Sequence, residues 1–182
     1  MLKITAKRQD IAGFEYTSAR IISRDKYEFQ YGRVDIRAKL PTGVGTWPAL
    51  WLLGANFNEV GWPECGEIDI MEHWGHDPTV IAGSLHTPMS HGDTWTNGHT
   101  IVSDYDEQFH VYSIDWNENR IQFFVDDVLY YTYNPSPKTD ENWPFDQDAF
   151  FILNIAVGGS WFDIDPEFSE STMEVDYIRI YQ

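Results

Sequence analysis

The sequence is poor in cysteine, in basic residues and in long hydrophobic runs, and each shortage excludes a class of protein. Cys65 is the only cysteine, so the chain cannot form an internal disulfide. Only 12 Lys and Arg stand against 29 Asp and Glu, and the resulting net charge of −17 repels phosphate backbones and anionic membranes. No run of about eighteen apolar residues is present, so we expect no transmembrane helix. Neither nucleic acid nor a membrane is therefore expected as a partner.

A sustained helical period is also missing, whereas the alternation typical of β-strands recurs along the chain. Val34, Ile36 and Ala38 alternate with charged residues, and residues 120–133 read as two strands around a turn. Residues 150–157 form a near-continuous apolar run, which suits a strand buried on both faces. With 182 residues the chain is long enough for a core without disulfides. We predict one all-β domain over residues 1–182, a β-sandwich of two antiparallel sheets.

Aromatic residues are the main excess, because 8 Trp, 10 Tyr and 11 Phe make up 16% of the chain. That many rings exceeds what core packing usually needs, and flat sugar faces stack on such rings. Trp47 and Trp51 are four residues apart and would share one face of a strand. Trp95, Trp143 and Trp161 lie in or beside loops rich in Gly or Pro, where an aromatic side chain is more often a binding residue. The composition thus indicates an aromatic-lined site.

Three acids cluster in the segment Glu67 to Glu72. Residues two apart in a strand point the same way, so Glu67 and Asp69 share a face. Glu72 would face the other side of a regular strand, but one extra residue, a β-bulge around Met71, returns it to the same face. We therefore predict three carboxylates along one side of one strand.

Crowded carboxylates raise one another's pKa, so at least one should hold its proton near neutral pH. An ionised carboxylate beside a protonated one is what glycoside hydrolysis needs. His73 directly follows the last acid and His86 lies in another strand-like stretch, so either could hydrogen-bond a substrate hydroxyl or an acid. A solvated polar face and a calcium site remain open as other interpretations of the three acids.

Several blocks of the chain resemble glycoside hydrolase family 16, in particular its laminarinase-type endo-1,3-β-glucanases. These blocks are GTWPALWLLG, WPECGEIDIMEHWG, SLHT and VDYIRIY, and the resemblance spans residues 16–181. It implies a β-jelly roll with a concave substrate cleft and retaining hydrolysis of β-glucans. By position, it implies that Glu67 is the nucleophile, that Glu72 is the acid/base and that Asp69 assists the nucleophile. The extra residue at Met71 resembles laminarinases, agarases and carrageenases rather than lichenases.

The resemblance also implies the surroundings of the acids and the setting in which the protein works. The resemblance implies that catalysis needs no cofactor, and it leaves open one structural calcium ion near Asp176. It also implies a polysaccharide substrate and a secreted or extracytoplasmic protein. The substrate-binding residues that it implies are Trp47, Trp51, His73, His86, Arg20 and Trp161.

The first strand-like stretch begins at residue 2, whereas family members normally carry some further residues before it. We expect that the usual N-terminal segment is lacking and that an exposed sheet edge permits self-association. A mixed-linkage 1,3-1,4-β-glucanase and an algal galactanase remain as alternatives within the family. A non-catalytic β-glucan-binding protein is the alternative from another class, and the presence of all three acids argues against it.

Overall fold

The computed structural model describes residues 1–159 and 163–182, which form thirteen strands and one short helix. The helix α1 (Phe57–Val60) is a single turn in a loop. The strands are β1 (Leu2–Ile11), β2 (Phe14–Thr17), β3 (Arg20–Ile22), β4 (Gly32–Lys39), β5 (Thr46–Gly54), β6 (Glu67–His73), β7 (Val80–His86), β8 (Asn97–Ile101), β9 (His110–Trp116), β10 (Ile121–Val125), β11 (Val128–Tyr133), β12 (Ala149–Val157) and β13 (Glu170–Tyr181).

Two antiparallel sheets pack face to face, which confirms the predicted β-sandwich. The seven-stranded sheet has the order β11-β10-β9-β4-β13-β1-β2, and the six-stranded sheet has the order β3-β12-β5-β6-β7-β8. Each sheet also joins strands that are distant in sequence, such as β4 with β13 and β5 with β12, as expected for a jelly roll. In the six-stranded sheet, β6 is an inner strand between β5 and β7, so its three acids lie away from the sheet edges.

The core lies between the sheets and follows the alternation of the strands. Val34, Ile36 and Ala38 on β4 are fully buried, whereas their neighbours are half-buried. Strand β12 is buried on both faces, as its apolar run predicts. Phe151 and Leu153 belong to the main core, while Phe150 and Ile152 join Leu53 and Cys65 in a small cluster. This second cluster helps to fix β12 on β5, and β5 in turn pairs with the acidic strand β6.

The turn between β10 and β11 is made by two aspartates with positive φ, at 49° for Asp126 and 64° for Asp127. These angles are typical of a type I′ hairpin turn, which confirms the hairpin predicted from the sequence. The helix α1, a four-residue element without buried side chains, is too short to conflict with the lack of a sustained helical period in the sequence.

One of the two outer strands of the seven-stranded sheet is β2, where the Phe14 side chain is 72% exposed. An exposed apolar edge is consistent with the predicted self-association, which stays a prediction. Across the described ranges, no helix is long and apolar enough to cross a membrane.

Candidate active site

A β-bulge in β6 brings the three acids to one face. Leu50 on β5 pairs with Met71 and Trp51 pairs with Asp69, which leaves Ile70 as the extra residue on this side. Both Ile70 and Met71 are buried in the core, because a bulge lets two successive residues point the same way. The outward alternation therefore resumes at the next residue, Glu72. The predicted bulge is confirmed.

Each glutamate receives a hydrogen bond from its own tryptophan. The Trp62 indole Nε1 donates to Glu67 Oε2 at 3.0 Å, and the Trp47 indole Nε1 donates to Glu72 Oε1 at 3.0 Å. The Ser84 hydroxyl also donates to Glu72. Hydrogen bonds to a carboxylate favour its ionised form and fix its orientation. The two glutamates are thus held by separate donors and can take separate roles.

His86 joins Glu67 and Asp69 into a compact group. Its Nε2 lies 3.1 Å from Asp69 Oδ2 and 3.6 Å from Glu67 Oε1. One ligand atom from each of these three residues lies within 4.8 Å of the others, a spacing that could also hold a metal ion. The Glu67 carboxyl group donates a hydrogen bond to the Asp69 carboxylate, which acts to lower the pKa of Asp69 against the larger effect of burial and places the proton between the two groups on Glu67. This shared proton ties the ionisation of Glu67 to that of Asp69.

Burial raises the pKa of all three acids. Burial and the charge of Asp69 raise the pKa of Glu67 to about 9, while His86 and the Trp62 hydrogen bond act in the opposite direction. Burial, followed by the charge of Glu72, raises the pKa of Asp69 well above its usual range. The pKa of Glu72 is also raised by burial, against hydrogen bonds from Ser84 and Trp47. The site therefore favours retention of protons, chiefly through burial and, for Glu67 and Asp69, also through the charge of a neighbouring acid.

A cleft of about 580 Å³ opens over Glu67 and Glu72. Trp47, Trp62 and Trp74 form its aromatic walls, and the ring centroids of Trp47 and Trp74 are 6.3 Å apart. The volume lies within the range of about 300–1,000 Å³ that is usual for ligand sites. Aromatic rings beside a row of carboxylates provide stacking surfaces for a sugar ring and reacting groups at its edge.

Trp51 and Arg20 lie on the same face of the sheet, next to the acids. Trp51 pairs directly with Asp69 across β5 and β6, and its indole Nε1 donates to Asn154 Oδ1 at 2.8 Å. The Arg20 guanidinium carbon lies 5.3 Å from the Trp51 ring centroid. The structure thus places four of the expected binding residues on one surface with the acids: Trp47, Trp51, His86 and Arg20.

His73 lies elsewhere, which corrects the expectation that it contacts substrate. Its side chain is fully buried, its Nε2 is 2.8 Å from the Pro78 carbonyl oxygen, and its ring packs against Tyr105 at 4.5 Å. Burial also lowers its pKa. The physical reason is the strand alternation: because Glu72 faces the cleft, the next residue must face the core. The other predicted binding residue, Trp161, lies outside the described residues.

Sequence reasoning missed several residues of the cleft, among them Trp62, Trp74 and Ser84. Trp62 follows Gly61 in the loop after α1, Trp74 follows β6, and Ser84 is two residues from His86 on β7. The alternation along β7 would have indicated Ser84, because residues two apart share a face. The loop residues carried no comparable signal. Trp143, which we expected in a binding loop, is instead buried against Tyr133 and Phe145.

The residues around Asp176 do not fit a calcium site. The Asp176 carboxylate accepts a hydrogen bond from Arg37 Nη1 at 2.7 Å and is thus already paired with a cation. Within residues 1–159 and 163–182, the group of His, Cys, Asp and Glu with metal-ligand spacing is the one at Glu67 and does not include Asp176. Calcium near Asp176 remains only an expectation from the sequence.

Comparison with known proteins decides the family. The family model described as glycosyl hydrolases family 16 matches residues 1–179. This chain belongs to glycosyl hydrolases family 16. The family-16 chain aligns with the crystal structure of the laminarinase from Flavobacterium sp. UMI-01 at a TM-score of 0.93 and 46% identity, covering 99% of this chain and 78% of that one.

Two further relatives of this family-16 chain are named for related activities. It is 43% identical over 194 residues to the β-glucanase of Rhodothermus marinus, covering 100% of this chain and 68% of that protein. It is 40% identical over 186 residues to glucan endo-1,3-β-glucosidase A1 of Niallia circulans, covering 92% of this chain. The chain spans only 26% of the Niallia protein's length, so that protein contains much sequence that has no counterpart here.

Proposed function

We propose that this family-16 chain is a retaining endo-glycosidase that hydrolyses internal β-1,3-glucosidic bonds of laminarin-type glucans. One observation carries the proposal: two glutamates of the same strand face one aromatic cleft, and each accepts a hydrogen bond from its own indole donor. The names of the Flavobacterium, Rhodothermus and Niallia relatives support a β-glucan as the substrate.

In the first step, the ionised Glu67 carboxylate attacks the anomeric carbon and forms a glycosyl-enzyme ester. Glu72 gives its proton to the glycosidic oxygen as the bond between that oxygen and the anomeric carbon breaks. In the free protein Glu67 holds the proton between the two carboxyl groups, because its pKa is raised to about 9. Asp69 therefore takes this proton before the attack and donates it back as a hydrogen bond, which stabilises the ionised form of Glu67. Trp62 donates a second hydrogen bond to the same carboxylate.

In the second step, the water oxygen attacks the anomeric carbon while the Glu72 carboxylate takes a proton from that water. The ester bond breaks and Glu67 leaves as a carboxylate, so both acids return to their starting states. Two inversions at the anomeric carbon give net retention. The hydrogen bonds from Trp47 and Ser84 hold Glu72 in place through both steps.

The substrate-binding residues that we propose are Trp47, Trp51, His86 and Arg20, together with Trp62. Their rings and polar groups lie on the face that bears the acids. We also propose that the protein acts outside the cytoplasm, because a glucan polymer does not cross a membrane unaided.

The test is release of reducing ends from laminarin, lichenan, agarose and carrageenan. We expect product from laminarin, initial products with the β-anomeric configuration by NMR, and loss of turnover in Glu67→Gln. The matched control is Glu64→Gln, an exposed glutamate three residues away. No product from any polymer, or equal activity in Glu67→Gln and wild type, would overturn the proposal. Product only from lichenan or a galactan would reassign the substrate.

A further inference from the structure

A second groove of about 470 Å³ lies beside the loop that forms one wall of the cleft. Residues 92–94 of this loop line the cleft, while Met89 and Trp95 of the same loop line the groove. The opposite side of the groove is formed by Tyr133 and the segment that follows it. Cleft and groove are therefore neighbours that share one loop.

Trp95 is a large exposed ring on a rigid base. Its side chain is 68% exposed, but its backbone N–H donates to the Ser90 hydroxyl at 3.1 Å. That hydroxyl is 2.7 Å from the Thr94 hydroxyl, which in turn donates to the Leu85 carbonyl at 2.9 Å. Ser90 and Thr94 are both buried. Because the backbone is fixed before any ligand arrives, binding on Trp95 requires little ordering of the loop.

The opposite wall is fixed in a similar way. The Met89 backbone N–H donates to the Glu141 carbonyl at 2.8 Å and ties the two walls together. The Tyr133 hydroxyl donates to the Asn142 carbonyl at 2.7 Å, and the Asn142 amide donates to the Pro137 carbonyl at 3.0 Å. The groove is thus pre-formed and does not depend on a mobile segment.

The chemistry of the groove indicates a neutral, hydroxyl-rich ligand. None of the described residues that line it is Asp, Glu, Lys, Arg or His, although the chain as a whole has a net charge of −17. The lining combines the Trp95 ring and Met89 with proline rings and small polar side chains such as Asn134 and Ser136. A charged peptide or nucleic acid finds no opposite charge there, whereas a pyranose offers a flat apolar face and neutral hydroxyls.

We propose that this groove is a second polysaccharide-binding site, in which a pyranose ring of a β-glucan stacks on Trp95. The choice of glucan rests on the proposed function, whereas the preference for a neutral sugar polymer rests on the groove itself. Because Thr94 lines the cleft and Trp95 lines the groove, a protein bound through Trp95 keeps its cleft close to the polymer. The site raises the local concentration of substrate without touching the reacting bond.

The test compares Trp95→Ala with Phe14→Ala, a matched control that removes an exposed ring from β2. We expect Trp95→Ala to weaken co-sedimentation with insoluble β-1,3-glucan about five- to tenfold, and Phe14→Ala to leave it unchanged. On a soluble laminari-oligosaccharide of about five glucose units, which fills only the cleft, kcat/KM of Trp95→Ala should stay within about twofold of wild type. Activity on the insoluble polymer should fall with the loss of binding.

Equal retention of Trp95→Ala and Phe14→Ala on the insoluble glucan would overturn the proposal and leave the hydrolase assignment intact. A dimer in sedimentation velocity that Trp95→Ala dissociates, with unchanged glucan retention, would show that a second copy occupies the groove and would also overturn it. A wild-type protein that is retained through Trp95 but releases no reducing ends would support the groove and refute the proposed hydrolysis.

Discussion

The two indole hydrogen bonds allow the roles of the glutamates to be separated by one chemical change made twice. Trp62→Phe removes the donor to Glu67, and Trp47→Phe removes the donor to Glu72, while each variant keeps an aromatic ring. A hydrogen bond to a charged group contributes about 1.5–3 kcal/mol when buried. Trp62 is 41% exposed, so about 1 kcal/mol is the appropriate magnitude, which corresponds to somewhat less than one pKa unit.

Both substitutions should raise the pKa of the glutamate that loses its donor, but the two pKa changes affect activity differently. Loss of a donor destabilises the carboxylate and raises the pKa of the glutamate. Glu67 acts when ionised, so Trp62→Phe should move the acidic limb of kcat/KM to higher pH by about half to one unit. At a pH on that limb, the rate should fall about three- to tenfold. Glu72 first acts when protonated, so Trp47→Phe should move the alkaline limb to higher pH.

The assay is kcat/KM for a soluble laminari-oligosaccharide from pH 4 to 10, with thermal melts to confirm that each variant is folded. The reasoning fails if Trp62→Phe moves only the alkaline limb and Trp47→Phe moves only the acidic one, because the two glutamates would then have exchanged roles. It also fails if neither limb moves in folded protein, because the indole donors would then have no influence on ionisation.

Three further changes test the site and its support. Glu72→Ala should slow natural glucans far more than aryl glucosides with activated leaving groups, since only the former need a proton; equal slowing in the two assays would contradict this role. Glu67→Gln should raise the free energy of unfolding relative to wild type, and this gain should be at least about 1 kcal/mol larger at pH 8 than at pH 4. An acid whose pKa is raised on folding favours the folded state below its unfolded pKa, and this contribution is lost as pH rises towards about 9. The measurement is chemical denaturation at both pH values, with Glu15→Gln at an exposed site as control. An equal change in the free energy of unfolding between pH 4 and pH 8 for the two variants would refute the expectation. His73→Ala should lower stability by about 2–4 kcal/mol through a cavity beside Tyr105, with KM unchanged in the folded protein; a raised KM at full stability would restore a binding role.

Strand alternation carried the sequence-based prediction of the fold and of the acids. The face shared by Val34, Ile36 and Ala38, the hairpin at Asp126 and the doubly buried β12 all follow from period-two patterning and turn chemistry. These signals are local, so they can be recognised without knowledge of distant contacts. The bulge in β6 was also accessible, because three acids on one face require one extra residue in the strand.

The same alternation, applied one residue further, would have placed His73 in the core. The position of His73 directly after the last acid and the resemblance to family 16 led to the opposite expectation, and the structure shows that the strand geometry is decisive at this position. The loop tryptophans had no periodicity to distinguish them. Trp95 is exposed and Trp143 is buried, although both lie in loops rich in turn-forming residues.

The sequence by itself determined the all-β class, the acid-rich strand and its bulge, because these depend on the order of neighbouring residues. Only the tertiary structure decided which donor serves which acid. Trp62 reaches Glu67 from a loop, Trp47 reaches Glu72 from the adjacent strand, and Ser84 approaches from the other side. The raised pKa values likewise come from burial under these groups. Such contacts join residues that are distant in the chain, and packing alone brings them together.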